Sequence, residues 1–135
     1  MRRQDRDLLL SQRTMHETDP GLHAGEPDMS PAELKCLREY LGLTTRWMSL
    51  RFGVSEYSVQ RWERDRTPPH DIAHWIRDMK REFDDQVDVD VLAADDTIIV
   101  PRTDEDSPSI LPAATYRRMA MMTVGRAGCR IEYRT

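Results

Sequence analysis

The sequence predicts a mainly α-helical unit of four to five helices over residues 29–83, with a flexible tail before it (1–28) and a small α+β unit after it (84–135). Three observations predict this. Apolar residues recur at helical spacing from Leu34 to Phe83. The period then changes to strict alternation. The charge divides at the same place. Up to Arg81 there are 14 Lys/Arg against 13 Asp/Glu, and from Glu82 onward 6 against 11, so the first half carries +1 and the second −5. Only the first half can approach a polyanion without strong repulsion.

Length and composition bound the rest. A chain of 135 residues fits one compact domain or two small ones. No run approaches the roughly eighteen apolar residues of a membrane span. "DLLL" near the N-terminus is too short for a signal-peptide core. Cys36 and Cys129 stand far apart and form no CxxC pair, so no disulfide framework is expected, and the reducing cytoplasm is the expected setting. Cys36 is assigned to an apolar helical face, as a buried structural thiol.

Residues 1–28 are polar and interrupted by Asp-Pro, Pro-Gly and Gly-Glu-Pro. They offer little to bury. They read as a flexible tail, or as residues upstream of a start at Met29. In "SPAELKCLREYLG", Ser30 is an N-cap, Pro31 suits the first helical position and Glu33 completes a capping box. Leu34, Leu37 and Leu41 form one stripe, and Gly42 stops the helix. The second helix, "TTRWMSLRFG", opens on a threonine cap and stops at Gly53, with Met48 and Phe52 facing inward and Ser49 small enough for a close helix crossing. Trp47 and Leu50 point elsewhere, to cover neighbouring surface or to meet a partner.

Ser55 caps the third helix, read as 55–64, with Val59 and Trp62 on its inner face and Trp62 as a central core residue. The fourth begins after "TPPHD", where Ile72, Trp75, Ile76, Met79 and Phe83 form an amphipathic stripe. Past Phe83, "VDVDV" alternates and reads as a half-buried strand, and "TIIVP" as a second. "PAATYRRMAMM" reads as a helix with Pro112 at its first turn, and "CRIEYR" as a short last strand.

The polarity of "GVSEYSVQRWERDR" now has a physical account. A short second helix, a tight turn at Gly53 and a helix starting at Ser55 have helix-turn-helix spacing. Val54 fills the space between the helices, and Val59 and Trp62 dock the third one. The outward residues are then Glu56, Tyr57, Ser58, Gln60, Arg61 and Arg64. Glutamine pairs with adenine and arginine with guanine in two-bond geometries, and hydroxyls serve bases or phosphates.

The stretches "ELKCLREYLGLT", "MSLRFGVSEYSVQRWERDR" and "TPP" resemble the Cro/C1-type (XRE) helix-turn-helix family over residues 29–83. The opening "ELKxLR" and the core "SVQxWE" are also similar to those of anti-CRISPR-associated autorepressors and YdiL-like proteins, which suits a phage or mobile-element origin. The resemblance implies an ion pair between Arg38 and Glu63. It places Thr45 at a phosphate-gripping position. With the outward face of the third helix, the expected DNA contacts are Thr45, Arg46, Ser55, Glu56, Tyr57, Ser58, Gln60, Arg61, Arg64 and Arg66, with Arg46 and Arg66 near phosphates. The resemblance also implies a C-terminal unit that dimerises. About fifty residues bury little alone, so a second copy is expected to cover them, with Tyr116, Met119, Ala120 and neighbouring strand residues at the interface. Two positions depart from the family pattern. Asp65 stands where a helix-ending glycine is usual, and Thr45 where a phosphate-gripping glutamine is usual.

Other constellations are weaker. His70 and His74 stand four apart without a third ligand and read as solvated. The aspartates from Asp84 to Asp96 lack the glycine and terminal glutamate of a calcium loop. Met119, Met121 and Met122 read as core or interface. No phosphate loop, nucleophile elbow or Cys/His dyad is evident, so neither an enzyme nor a cofactor is expected. The expected partners are double-stranded DNA and a second copy of the chain, with no membrane. The expected function is a sequence-specific transcriptional regulator: a homodimeric repressor or autorepressor on a palindromic operator. The alternative is an antitoxin or phage/host interaction protein that uses the same scaffold to hold a protein partner.

Overall fold

The computed structural model describes residues 27–93 and 96–135. The expected tail, apart from Pro27 and Asp28, lies outside the described residues. The chain divides into two compact units between Lys80 and Arg81. It is mainly helical, with one two-stranded parallel sheet among the described residues. No helix described is long and apolar enough to cross a membrane.

The first unit holds α1 (Pro31–Tyr40), α2 (Thr45–Phe52), α3 (Glu56–Trp62) and the start of α4 (His70–Leu92). The starts of α1, α2 and α3 follow local capping chemistry. Ser30, Thr44 and Ser55 accept hydrogen bonds from the backbone N–H three residues on, at Glu33, Trp47 and Ser58. α2 stops at Gly53, whose φ of 66° is a left-handed conformation that a Cβ would resist. Leu34, Leu41, Leu43, Met48, Val59, Ile72, Trp75, Ile76 and Met79 are buried. Trp75 meets Trp47 at 5.8 Å and the edge of Phe52 at 5.1 Å between ring centroids. Trp47 therefore covers its neighbour Trp75, while Leu50 remains 72% exposed.

Two expectations for this unit are corrected, and a third feature, the end of α3, has its account. Cys36 is exposed, because it lies two residues from Leu34 and so on the opposite side of α1. Trp62 is half-buried rather than central, being the last residue of a helix shorter than expected. The end of α3 turns without a left-handed residue: the N–H groups of Arg64, Asp65 and Arg66 all point to the Arg61 carbonyl, at 3.0–3.1 Å. That is how Asp65 occupies a position where glycine is usual.

The second unit holds the rest of α4, β1 (Thr97–Val100), a 3-10 turn (Asp104–Asp106), α5 (Ala113–Ala127) and β2 (Arg130–Tyr133). "VDVDV" is not a strand. It is the last part of α4, and only Val87 of its valines is buried. The stripe of Ile72, Trp75, Ile76, Met79 and Phe83 continues to Gln86 and Val87, three and four residues on. Gln86 also donates to Asp90 at 3.2 Å, an i,i+4 bond that a strand could not make. The expected strands at "TIIV" and "RIEY" are present and pair in parallel, with Ile98 opposite Ile131. Ile98, Val100, Ala120 and Cys129 form a buried cluster, flanked by Val124 and Ile131. Tyr116, Met119 and Ala120 are buried within the chain, so they present no surface to a second copy. Their spacing is that of α5's inner face, and a helix face that packs on its own sheet has the same apolar pattern as one that meets a second chain.

Candidate nucleic-acid interface

The candidate site is the outward side of α3 with its two flanks. α3 is anchored from within by buried Val59 and from its C-terminal end by Glu63. Both Glu63 carboxylate oxygens accept from Arg38, at 2.5 Å from Nε and 3.0 Å from Nη2. Arg38 Nη1 also donates to the Leu43 carbonyl at 2.9 Å. The side chains are only 13% and 7% exposed. This two-bond pair holds the end of α3 against α1 and the α1–α2 turn, as the resemblance implied.

On that outer side, Tyr57, Arg61 and Arg64 stand at i, i+4 and i+7, with Gln60 beside them. Tyr57 is 59% exposed. The Arg61 guanidinium lies over its ring, 5.8 Å from the centroid. Arg64 hydrogen-bonds Tyr57 and, with Nε at 3.3 Å, Asp65. The Tyr57 bond first, and Asp65 second, hold the Arg64 guanidinium above its ordinary pKa. Gln60 and Arg66 are exposed, as is Arg46 on α2. One tyrosine therefore organises two cations beside an exposed amide.

The remaining expected site residues are more occupied. Ser55 is the N-cap of α3, and its hydroxyl is 2.9 Å from that of Ser58, which is half-buried. Thr45 donates to Glu56 Oε1 at 2.9 Å, bridging the starts of α2 and α3. A threonine engaged in this way is turned from a phosphate toward a carboxylate. The bridge was not legible in the sequence, since Thr45 and Glu56 are eleven residues apart and only the tight turn at Gly53 brings them together.

The other candidates do not assemble. His70 lies 2.9 Å from Asp28 and His74 lies 3.1 Å from Asp78, so the two histidines take separate partners. Among the described residues no group of three His, Cys, Asp or Glu side chains is placed to hold a metal ion. No protein-family model matches the chain, and neither does any curated protein or solved structure.

Proposed function

We propose that this protein is a sequence-specific DNA-binding regulator of transcription, working as a homodimeric repressor or autorepressor on a palindromic operator. In this reading α2, the turn at Gly53 and α3 form a helix-turn-helix, and α3 enters the major groove. The observation that carries it is the outward side of α3, where Tyr57, Gln60, Arg61 and Arg64 converge while the inner side is held by Val59 and Glu63. Gln60 and Arg61 read base edges. Arg46 and Arg66, on the flanks, hold phosphates and set the register. Glu56 stands at the first turn of α3, where it accepts from the amino group of a cytosine or rejects a misplaced phosphate.

Two-fold pairing suits this site because one short recognition helix reads too few base pairs to define an operator. Half-sites then lie about 34–36 Å apart, or a multiple of that. Selection of bound duplexes from random DNA, followed by a salt titration on the winner, tests the reading. A palindromic consensus with a steep fall of affinity with salt is expected. Failure to enrich any duplex sequence refutes it.

One observation favours a second reading. Leu50 is 72% exposed on α2, close in sequence to Arg46 and Trp47. An apolar side chain of this size beside a cation suits a protein surface better than a phosphate backbone. An antitoxin or phage/host interaction protein would use α2 in that way, and the failed selection described above would favour it.

A further inference from the structure

β1 and β2 are the only strands among the described residues, and among those residues neither outer edge of the sheet is paired. Parallel pairs are usually covered on both faces and extended by further strands. The open edge of β2 can be assigned residue by residue. The Arg130 N–H donates to the Asp96 carbonyl at 2.8 Å, and the Arg134 N–H to the Val100 carbonyl at 2.9 Å. Alternate residues of a strand face the same neighbour. Positions 130, 132 and 134 therefore face β1, while Ile131 and Tyr133 direct their N–H and C=O groups to the open side.

The side chains of this strand are self-complementary. Arg130 and Glu132 are exposed, lie on one face, and are ion-paired at 2.6 Å. Laid antiparallel against its own copy about Ile131, the strand sets Arg130 opposite Glu132 of the copy, twice. Ile131 then exchanges both backbone bonds with Ile131, and Tyr133 with Cys129. Moving the axis to Glu132 would set Glu132 opposite itself and Arg130 opposite Arg134, which like charges oppose. Beside the strand, Ile131, Glu132, Tyr133, Val100, Arg117 and Met121 line a groove of about 310 Å³. Met121 is 63% and Tyr133 47% exposed there, so apolar surface lies open beside the free edge.

We propose that β2 is the seam of the dimer: it pairs antiparallel with β2 of a second copy about a two-fold axis at Ile131, giving a sheet in the order β1–β2–β2–β1. This rests on the homodimer reading and not on DNA recognition. It keeps the strand part of the expected interface and drops the buried Tyr116, Met119 and Ala120.

The test is sedimentation of the full chain across a concentration series, with hydrogen exchange on the same samples. The wild type is expected to dimerise, with the Ile131 and Tyr133 amides gaining protection as concentration rises. E132R sets arginine against arginine at two places and should weaken the dimer about tenfold or more. R130E/E132R restores the pairing in reverse and should recover it. I131P removes an N–H that one chain alone does not use, in a position an edge strand tolerates, and should abolish the dimer with the fold kept. A dimer that E132R and I131P leave unchanged would overturn the seam while the homodimer reading stands. A monomeric wild type would overturn both. A weakened E132R that the double swap does not rescue would overturn the register.

Discussion

Removing Glu63 should unfold the first unit more than any other single loss of charge in it. The Glu63 carboxylate takes two hydrogen bonds from Arg38, and both side chains are largely buried. Glu63→Ala leaves the guanidinium desolvated with the Leu43 carbonyl as its remaining partner among those described above. Breaking a buried pair from one side costs roughly 3–5 kcal/mol. The surviving bond to Leu43 places this case near the lower end, about 3 kcal/mol. For a unit of this size that is a fall in melting temperature of roughly 12–24 °C. Circular dichroism melts and urea titrations measure it. Arg38→Met/Glu63→Met is the decisive control, because replacing both partners by apolar side chains should recover most of the loss. A Glu63→Ala shift below about 1 kcal/mol would refute the reasoning and place the pair with ordinary surface ion pairs.

The remaining predictions concern the turn, the site and the helix that joins the two units. Gly53→Ala meets open space but keeps a φ of 66°, so it should cost only the backbone strain, about 1–2 kcal/mol, and Gly53→Asn less; melts of both variants check this. Gln60→Ala or Arg61→Ala should cost roughly 1–3 kcal/mol on the selected DNA site and relax preference at one base pair. Arg66→Ala should weaken all sequences alike and reduce the salt slope by about one, seen in titrations at several ionic strengths. Val87→Ala should destabilise by about 2 kcal/mol as a buried methyl pair is lost, while exposed Val89→Ala should stay within about 0.5 kcal/mol in the same melts.

The legible parts of the fold were those in which local chemistry and tertiary packing agree. Ser30, Ser55 and Gly53 define helix ends through bonds within three or four residues, and each does so in the structure. The stripe from Ile72 to Phe83 is buried along its length. "VDVDV" was misread because valine favours strands locally and its alternation satisfies a period of two. A helix already nucleated over four turns extends at little cost, and the inward side it offers next needs only Gln86 and Val87. At the candidate site, Tyr57, Gln60 and Arg64 are exposed as spacing has them, while Ser58 and Arg61, read as outward, are half-buried. The Thr45–Glu56 bridge and the Tyr57 clasp on Arg64 could not be placed from spacing, since both depend on side-chain reach across a turn or around a helix end.

That clasp bears on how the proposed site would work. An arginine free on a short helix loses rotamer freedom when it binds, and that loss opposes affinity. Here Arg61 already rests on the Tyr57 ring and Arg64 on its hydroxyl. Tyr57 and Arg64 are exposed and Arg61 is half-buried, so each contact is weak enough to yield to a guanine edge or a phosphate. Tyr57 is thus better placed to position cations than to contact DNA first. The two roles separate experimentally: Tyr57→Phe keeps the ring under Arg61 and removes the bond to Arg64. Loss confined to the Arg64 contact would mark positioning, whereas a change of base preference centred on Tyr57 itself would mark direct readout.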